Sequence, residues 1–88
     1  MNFLEYAKEF LIPMAQEAGR NVDWGPARDQ WGKPTGYQFL RFRAPDNTYQ
    51  LVMYEKDGVC HRVELYVAGT EPQVTDNPTN EDLRDLIF

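Results

Sequence analysis

The sequence predicts an α+β domain in two layers: an N-terminal helix, a three-stranded antiparallel meander from about Thr35 to Ala68, and a short C-terminal helix, in the order α-β-β-β-α. Three observations predict it. Apolar residues recur at helical spacing at both ends, three strand-like runs lie between them, and turn signals separate those runs. The 88 residues are read as a single domain, residues 1–88, because so short a chain has too little volume for two cores.

The first helix is expected over Phe3 to Ala18, with Phe3, Ala7, Phe10, Leu11, Met14 and Ala18 forming its apolar face. Asn2 can cap it, Glu5 completes a capping-box pattern, and Gly19 supplies the stop. Pro13 removes a backbone donor and predicts a kink or restart nearby. From Arg20 to Pro34 the periodicity vanishes, and Trp24-Gly25-Pro26 and Trp31-Gly32-Lys33-Pro34 punctuate a stretch rich in turn formers. This predicts a long connection that either folds over the sheet or serves as a recognition loop.

Strands are expected over Gly36 to Ala44, Thr48 to Lys56 and Val59 to Ala68. Asp57-Gly58 predicts a two-residue type I′ hairpin, which requires positive φ at both positions. Pro45-Asp46-Asn47 predicts a three-residue loop with Asn47 left-handed. From about Thr79, a capping Thr, then Glu81 and Asp82, then Leu83, Leu86 and Ile87 on one side predict the last helix.

The two turns together predict a register. Pairing Lys56 with Val59 sets Tyr54 opposite His61 and Val52 opposite Val63; pairing Ala44 with Thr48 sets Phe42 opposite Gln50 and Leu40 opposite Val52. Leu40, Phe42, Val52, Tyr54, Val63, Leu65 and Val67 then share the face that the helices cover. The opposite face would carry Tyr37, Phe39, Arg41 and Arg43, then Tyr49, Leu51, Met53 and Glu55, then Cys60, Arg62, Glu64 and Tyr66. Arginines and aromatics around an apolar centre are enriched at interface cores. Phe39, Arg41, Tyr49, Leu51, Met53, Arg62 and Tyr66 are therefore the expected partner-binding residues.

Composition bounds the chemistry. The chain is 42% hydrophobic and carries a net charge of −5, which suits a folded acidic protein and opposes indiscriminate nucleic-acid binding. The charge is unevenly spread, with an excess of three positive charges from Arg20 to Arg43 and of four negative from Glu71 onward. Cys60 has no second cysteine to pair with, and no apolar run marks a membrane span or leader, so a cytoplasmic location is expected.

There is no serine for a serine nucleophile. Cys60 and His61 are neighbours on a strand and should point to opposite faces, with His61 a structural histidine on the helix-covered side. Arg62 would modestly favour the Cys60 thiolate. One Cys and one His cannot build a Cys/His zinc site, and no glycine-rich phosphate loop is present. No cofactor or metal is expected.

The order helix, three antiparallel strands, helix is similar to that of double-stranded RNA-binding domains. That resemblance implies a basic start to the last helix, where this chain has Glu81, Asp82 and Asp85, and the docking mode is rejected. The expected function is non-catalytic: binding of a protein partner or of a second copy through the open sheet face, with an acidic inhibitor or antagonist of a basic partner as one form of it. The alternatives are a single-stranded nucleic-acid binder using the sheet's aromatics and arginines, or an enzyme acting on a small molecule.

Overall fold

A computed structural model of the chain describes residues 2–87. Its architecture is α+β, with a helix at each end of a five-stranded, wholly antiparallel sheet in the order β1-β2-β3-β4-β5. The strands are β1 Asn21–Arg28, β2 Pro34–Arg43, β3 Tyr49–Lys56, β4 Val59–Val67 and β5 Gln73–Asp76. The expected three-stranded meander is thus its central portion, with one further strand on each side.

The N-terminal helix runs as Phe3–Tyr6, a π-helical turn Ala7–Leu11, and Ile12–Glu17. Asn2 Oδ1 accepts the Glu5 amide at 2.9 Å, as a cap should. At the other end Gly19, at φ +77, lets its own amide reach Gln16 O and the Arg20 amide reach Ala15 O, closing a Schellman motif. The Ile12 amide reaches back to Ala7 O, five residues away, immediately before Pro13. The widened turn takes the place of the expected kink: it gives the proline ring room where a tight α-turn would press it against the preceding carbonyl. It also resets the helix face. Phe3, Ala7, Leu11 and Ala15 are buried at intervals of four, whereas Phe10 and Ala18, assigned to the apolar face at about 3.6 residues per turn, are exposed.

The segment expected to be a long connection is mostly β1, paired residue for residue with β2 from Asn21↔Arg43 to Pro26↔Gln38. Two supposed strand breakers fit locally. Gly25 lies opposite Phe39, and a Cβ there would meet the Phe39 ring at 3.5 Å, so the ring rests on the bare backbone. Pro26 occupies the outermost strand, where a missing donor costs the sheet nothing. The Asp29–Lys33 turn is held by Asp29 Oδ1, which accepts the amides of Trp31 and Lys33 at 2.9 Å each. The tryptophan segment therefore lies within the sheet and at its hairpin tip and does not fold over it.

The register around β3 also departs from expectation. The Ala44 amide bonds Tyr49 O, so the loop has a fourth residue, Thr48, whose amide and hydroxyl both donate to Asp46 Oδ1 at 3.1 and 2.7 Å. Asn47 is left-handed at φ 62, as its sequence suggests. Asp57 and Gly58, at φ 55 and 80, form the expected tight turn with Lys56 opposite Val59. The ladder then slips: Glu55 faces Cys60 but Tyr54 faces Arg62, leaving His61 as the extra residue of a β-bulge. Consequently Phe42↔Leu51↔Leu65 and Leu40↔Met53↔Val63 form the rows beneath the helices.

The core joins those rows to Phe3, Ala7, Leu11 and Ala15 of the first helix and Leu83 and Ile87 of the last, Asn80–Ile87. Leu51 and Met53 are fully buried in it. The last helix is capped reciprocally by Thr79 Oγ1 on the Asp82 amide and Asp82 Oδ2 on the Thr79 amide. Among the described residues no helix is long and apolar enough to cross a membrane.

Candidate functional site

Both helices lie on one side of the sheet, which leaves the other side uncovered among the described residues. Side chains alternate along a strand, so the register assigns this open face without ambiguity. One row is Gly25, Phe39, Tyr54, Arg62 and Asp76; the next is Asp23, Arg41, Val52, Glu64 and Val74. A third begins Asn21, Arg43, Gln50 and Tyr66.

Of the expected partner-binding residues, Phe39, Arg41, Arg62 and Tyr66 are on this face. Tyr49, Leu51 and Met53 are not, because the fourth loop residue and the His61 bulge turn β3 over relative to both neighbours. Tyr49 has a structural task instead: its hydroxyl donates to the Leu86 carbonyl at 2.7 Å, satisfying an end group of the last helix, while the Arg20 guanidinium sits 4.1 Å above its ring. Burial pushes its phenol up to about 12. Glu55 joins the helix side as well and accepts the Gly58 amide at 2.7 Å, tying down the β3–β4 turn. In exchange Gln50, Val52 and Tyr54 come to the open face.

His61 is displaced in the same way. It was expected under the helices, yet the bulge sets its ring edge-on to Tyr37, 5.7 Å between centroids and at 84°, on the wall of an open-face depression. That depression, about 510 Å³, is lined by Tyr37, Tyr54, His61, Arg62, Glu64 and Asp76 together with the β1 residues Ala27 and Arg28. Lys56 Nζ lies 5.5 Å from the Tyr37 centroid. A smaller hollow of about 230 Å³ continues over Phe39, Arg41, Gln50 and Val52. Ala27 and Val52 are buried there, outside the helix-side core.

Several polar groups of the face are held by one another. Glu64 spends one oxygen on the Tyr54 hydroxyl at 2.9 Å and the other on Arg62 Nη2 at 3.1 Å. Burial first, then this contact with Glu64, pushes the Tyr54 phenol up to about 12. Arg41 grips Asp23 through both Nε, at 3.0 Å, and Nη2, and stands over the Phe39 ring at 5.4 Å. That hydrogen-bonded pair holds the Asp23 carboxyl below its usual range and raises the guanidinium. Glu64 and Asp23 thus act as anchors for arginines.

Cys60 and His61 do not form a nucleophile–base pair. The thiol is buried in the helix-side core, donates to Arg62 O at 3.5 Å, and is pushed up to about 11 by that burial; it is not activated by Arg62. Among the described residues no three His, Cys, Asp or Glu are grouped to hold a metal ion. Of the face's residues, Tyr37, Glu64 and Arg43 were already expected here, whereas Tyr54, His61, Val52 and Gln50 were hidden by the shifted register. The Asp46-x-Thr48 turn carried a usable signal for the loop; the bulge had none. Comparison with protein-family models, curated proteins and solved structures finds no match to this chain.

Proposed function

We propose that this chain is a non-catalytic binding module that docks a protein partner on its open sheet face. The observation that carries the reading is the uncovered row of Phe39, Tyr54 and Arg62, of which Tyr54 and Arg62 line, with Tyr37, a depression of about 510 Å³, while Tyr66 stands two rows away on the same face. Aromatic and arginine side chains over a shallow apolar hollow are the composition that concentrates binding energy at protein interfaces.

The internal pairing of charges favours a protein over a polyanion. Arg41 is already matched by Asp23 and Arg62 by Glu64, so a partner covering these two arginines buries compensated pairs. A nucleic acid would instead have to compete with those carboxylates for the guanidinium groups, on a chain of net charge −5. Arginine-mediated base stacking on Phe39 or Tyr66 is accordingly the weaker reading.

Affinity capture from cell extract tests the proposal. Tyr66→Asp and Arg62→Glu should each deplete a protein retained by the wild type, whereas Trp31→Asp, at the hairpin tip, should retain it. A retained set indifferent to Tyr66→Asp and Arg62→Glu would refute the open face as the docking surface.

A further inference from the structure

The sheet has two edges, and they are built differently. β5 is a four-residue edge, too short to template much pairing. β1 is eight residues long, and no described residue pairs with its outer side. It also carries Trp24, 69% exposed, beside an apolar groove of about 290 Å³ formed with Leu4, Ile12 and Leu40.

The ladder phase identifies which β1 groups point outward. Ala44 N–H bonds Tyr49 O, Ala68 N–H bonds Thr48 O, and Asn77 N–H bonds His61 O. All three fit one alternation, in which Arg43, Arg41 and Phe39 of β2 hydrogen-bond toward β1. Their partners Asn21, Asp23 and Gly25 are then satisfied inside the sheet. Val22, Trp24 and Pro26 turn their backbone groups to the outside.

This outer row is self-complementary about Asp23. If two β1 strands meet antiparallel with Asp23 opposite the partner's Asp23, Val22 N–H reaches the partner's Trp24 carbonyl and Trp24 N–H reaches the partner's Val22 carbonyl, and the same bonds repeat by symmetry. The next positions to come into register are Arg20 and Pro26, each three residues from Asp23. Neither has a donor to strand: the Arg20 amide is spent on Ala15 O in the helix cap, and Pro26 has none. The pairing therefore uses every outward donor from Arg20 to Pro26. On the helix side it lays Trp24 beside the partner's Val22, and on the open side each Asp23 is already held by its own Arg41.

We infer that the β1 edge is a homodimer surface, joining two copies through an antiparallel β1–β1 pairing centred on Asp23 into one continuous sheet. The pairing leaves both open faces available on the same side, so it stands or falls apart from the partner-docking reading. Because each copy carries −5, added salt should tighten the dimer by screening repulsion.

Sedimentation across a concentration series, with amide exchange on the same samples, tests it. A monomer–dimer equilibrium is expected, with the Val22 and Trp24 amides gaining protection as concentration rises while Asn21, Asp23 and Gly25 stay as protected as before. Val22→Pro removes an outward donor and nothing from the β1–β2 ladder, and should weaken the dimer about 100-fold through its two symmetric lost bonds. Trp24→Lys, an edge-blocking change, should weaken it as well. A protein that stays monomeric at millimolar concentration, a dimer unmoved by both variants, or Val22 and Trp24 amides indifferent to concentration would overturn the inference.

Discussion

The turns on either side of β3 depart from simple residue counting in different ways, and the two departures compensate. Before β3, the loop is one residue longer than its Pro45-Asp46-Asn47 signal suggests, because Asp46 folds Thr48 back into the turn. After β3, the Asp57-Gly58 turn is as short as its sequence implies, yet His61 bulges out of β4 three residues later. Each event turns β3 over relative to one neighbour. With both in place β2, and β4 from Arg62 onward, keep the faces that counting assigns them, while β3 and the Cys60-His61 start of β4 are inverted. Two hairpins that agree with each other can therefore share a wrong strand between them, because agreement tests only their difference.

The sharpest way to break that comparison is a pair of adjacent substitutions on β3. Leu51→Asp puts a charge into the fully buried core, beyond the loss of about 2–5 kcal/mol that removing such a side chain brings, and should leave no cooperative unfolding transition. Gln50→Asp, one residue away on the open face between Arg43 and Tyr66, should fold with a melting temperature near that of the wild type. Thermal denaturation followed by circular dichroism reads both, and the reverse ordering would restore the simpler register.

A smaller effect is expected at the β3–β4 turn. Gly58 sits at φ +80, and an added Cβ would press to 3.3 Å from the Asn2 side chain that caps the first helix. The Phe3 amide also donates to the Gly58 carbonyl at 2.8 Å, so turn and helix cap are one joint. Gly58→Ala should cost about 1–2 kcal/mol in denaturant unfolding. A loss of a few tenths or less would detach the turn from the helix start.

The smallest effect is on the open face. Arg41 holds the Asp23 carboxyl below its ordinary value of 3.8, so this pair stabilises the fold above that pH and loses its contribution as pH falls through the lower folded value. Both side chains are about one-third exposed, which keeps the effect small. Asp23→Asn should be less stable than wild type near neutrality, with the gap closing below pH 3.8. A gap that widens on acidification would contradict the pairing.

The termini of this fold were the most legible part of the sequence. Asn2, Gly19 and Thr79 act locally, each through a hydrogen bond or a dihedral that a few residues determine, and each is found in its expected role. The central strands were legible as strands for the same reason. β1 was hidden because Gly25 and Pro26 read as breakers until Phe39 lies on one and the sheet edge excuses the other. β5 is only four residues long and lacks an apolar alternation to announce it. The π turn left a trace in the four-residue spacing of Phe3, Ala7, Leu11 and Ala15, which is too long for an ordinary helix. On the open face Phe39, Arg41, Arg62 and Tyr66 were found because β2 and β4 kept their faces. Tyr54 and His61 were missed because a bulge is settled by tertiary pairing rather than by its own residue.

Methyl and aromatic nuclear Overhauser contacts from β3 test the face assignment most directly. Leu51 and Met53 should contact helix side chains such as Leu11 and Leu83, while Val52 contacts the Phe39 and Tyr54 rings and no helix residue. Contacts from Val52 to Leu11 or Leu83, with Leu51 and Met53 silent, would put β3 the other way up and dissolve the open face described above.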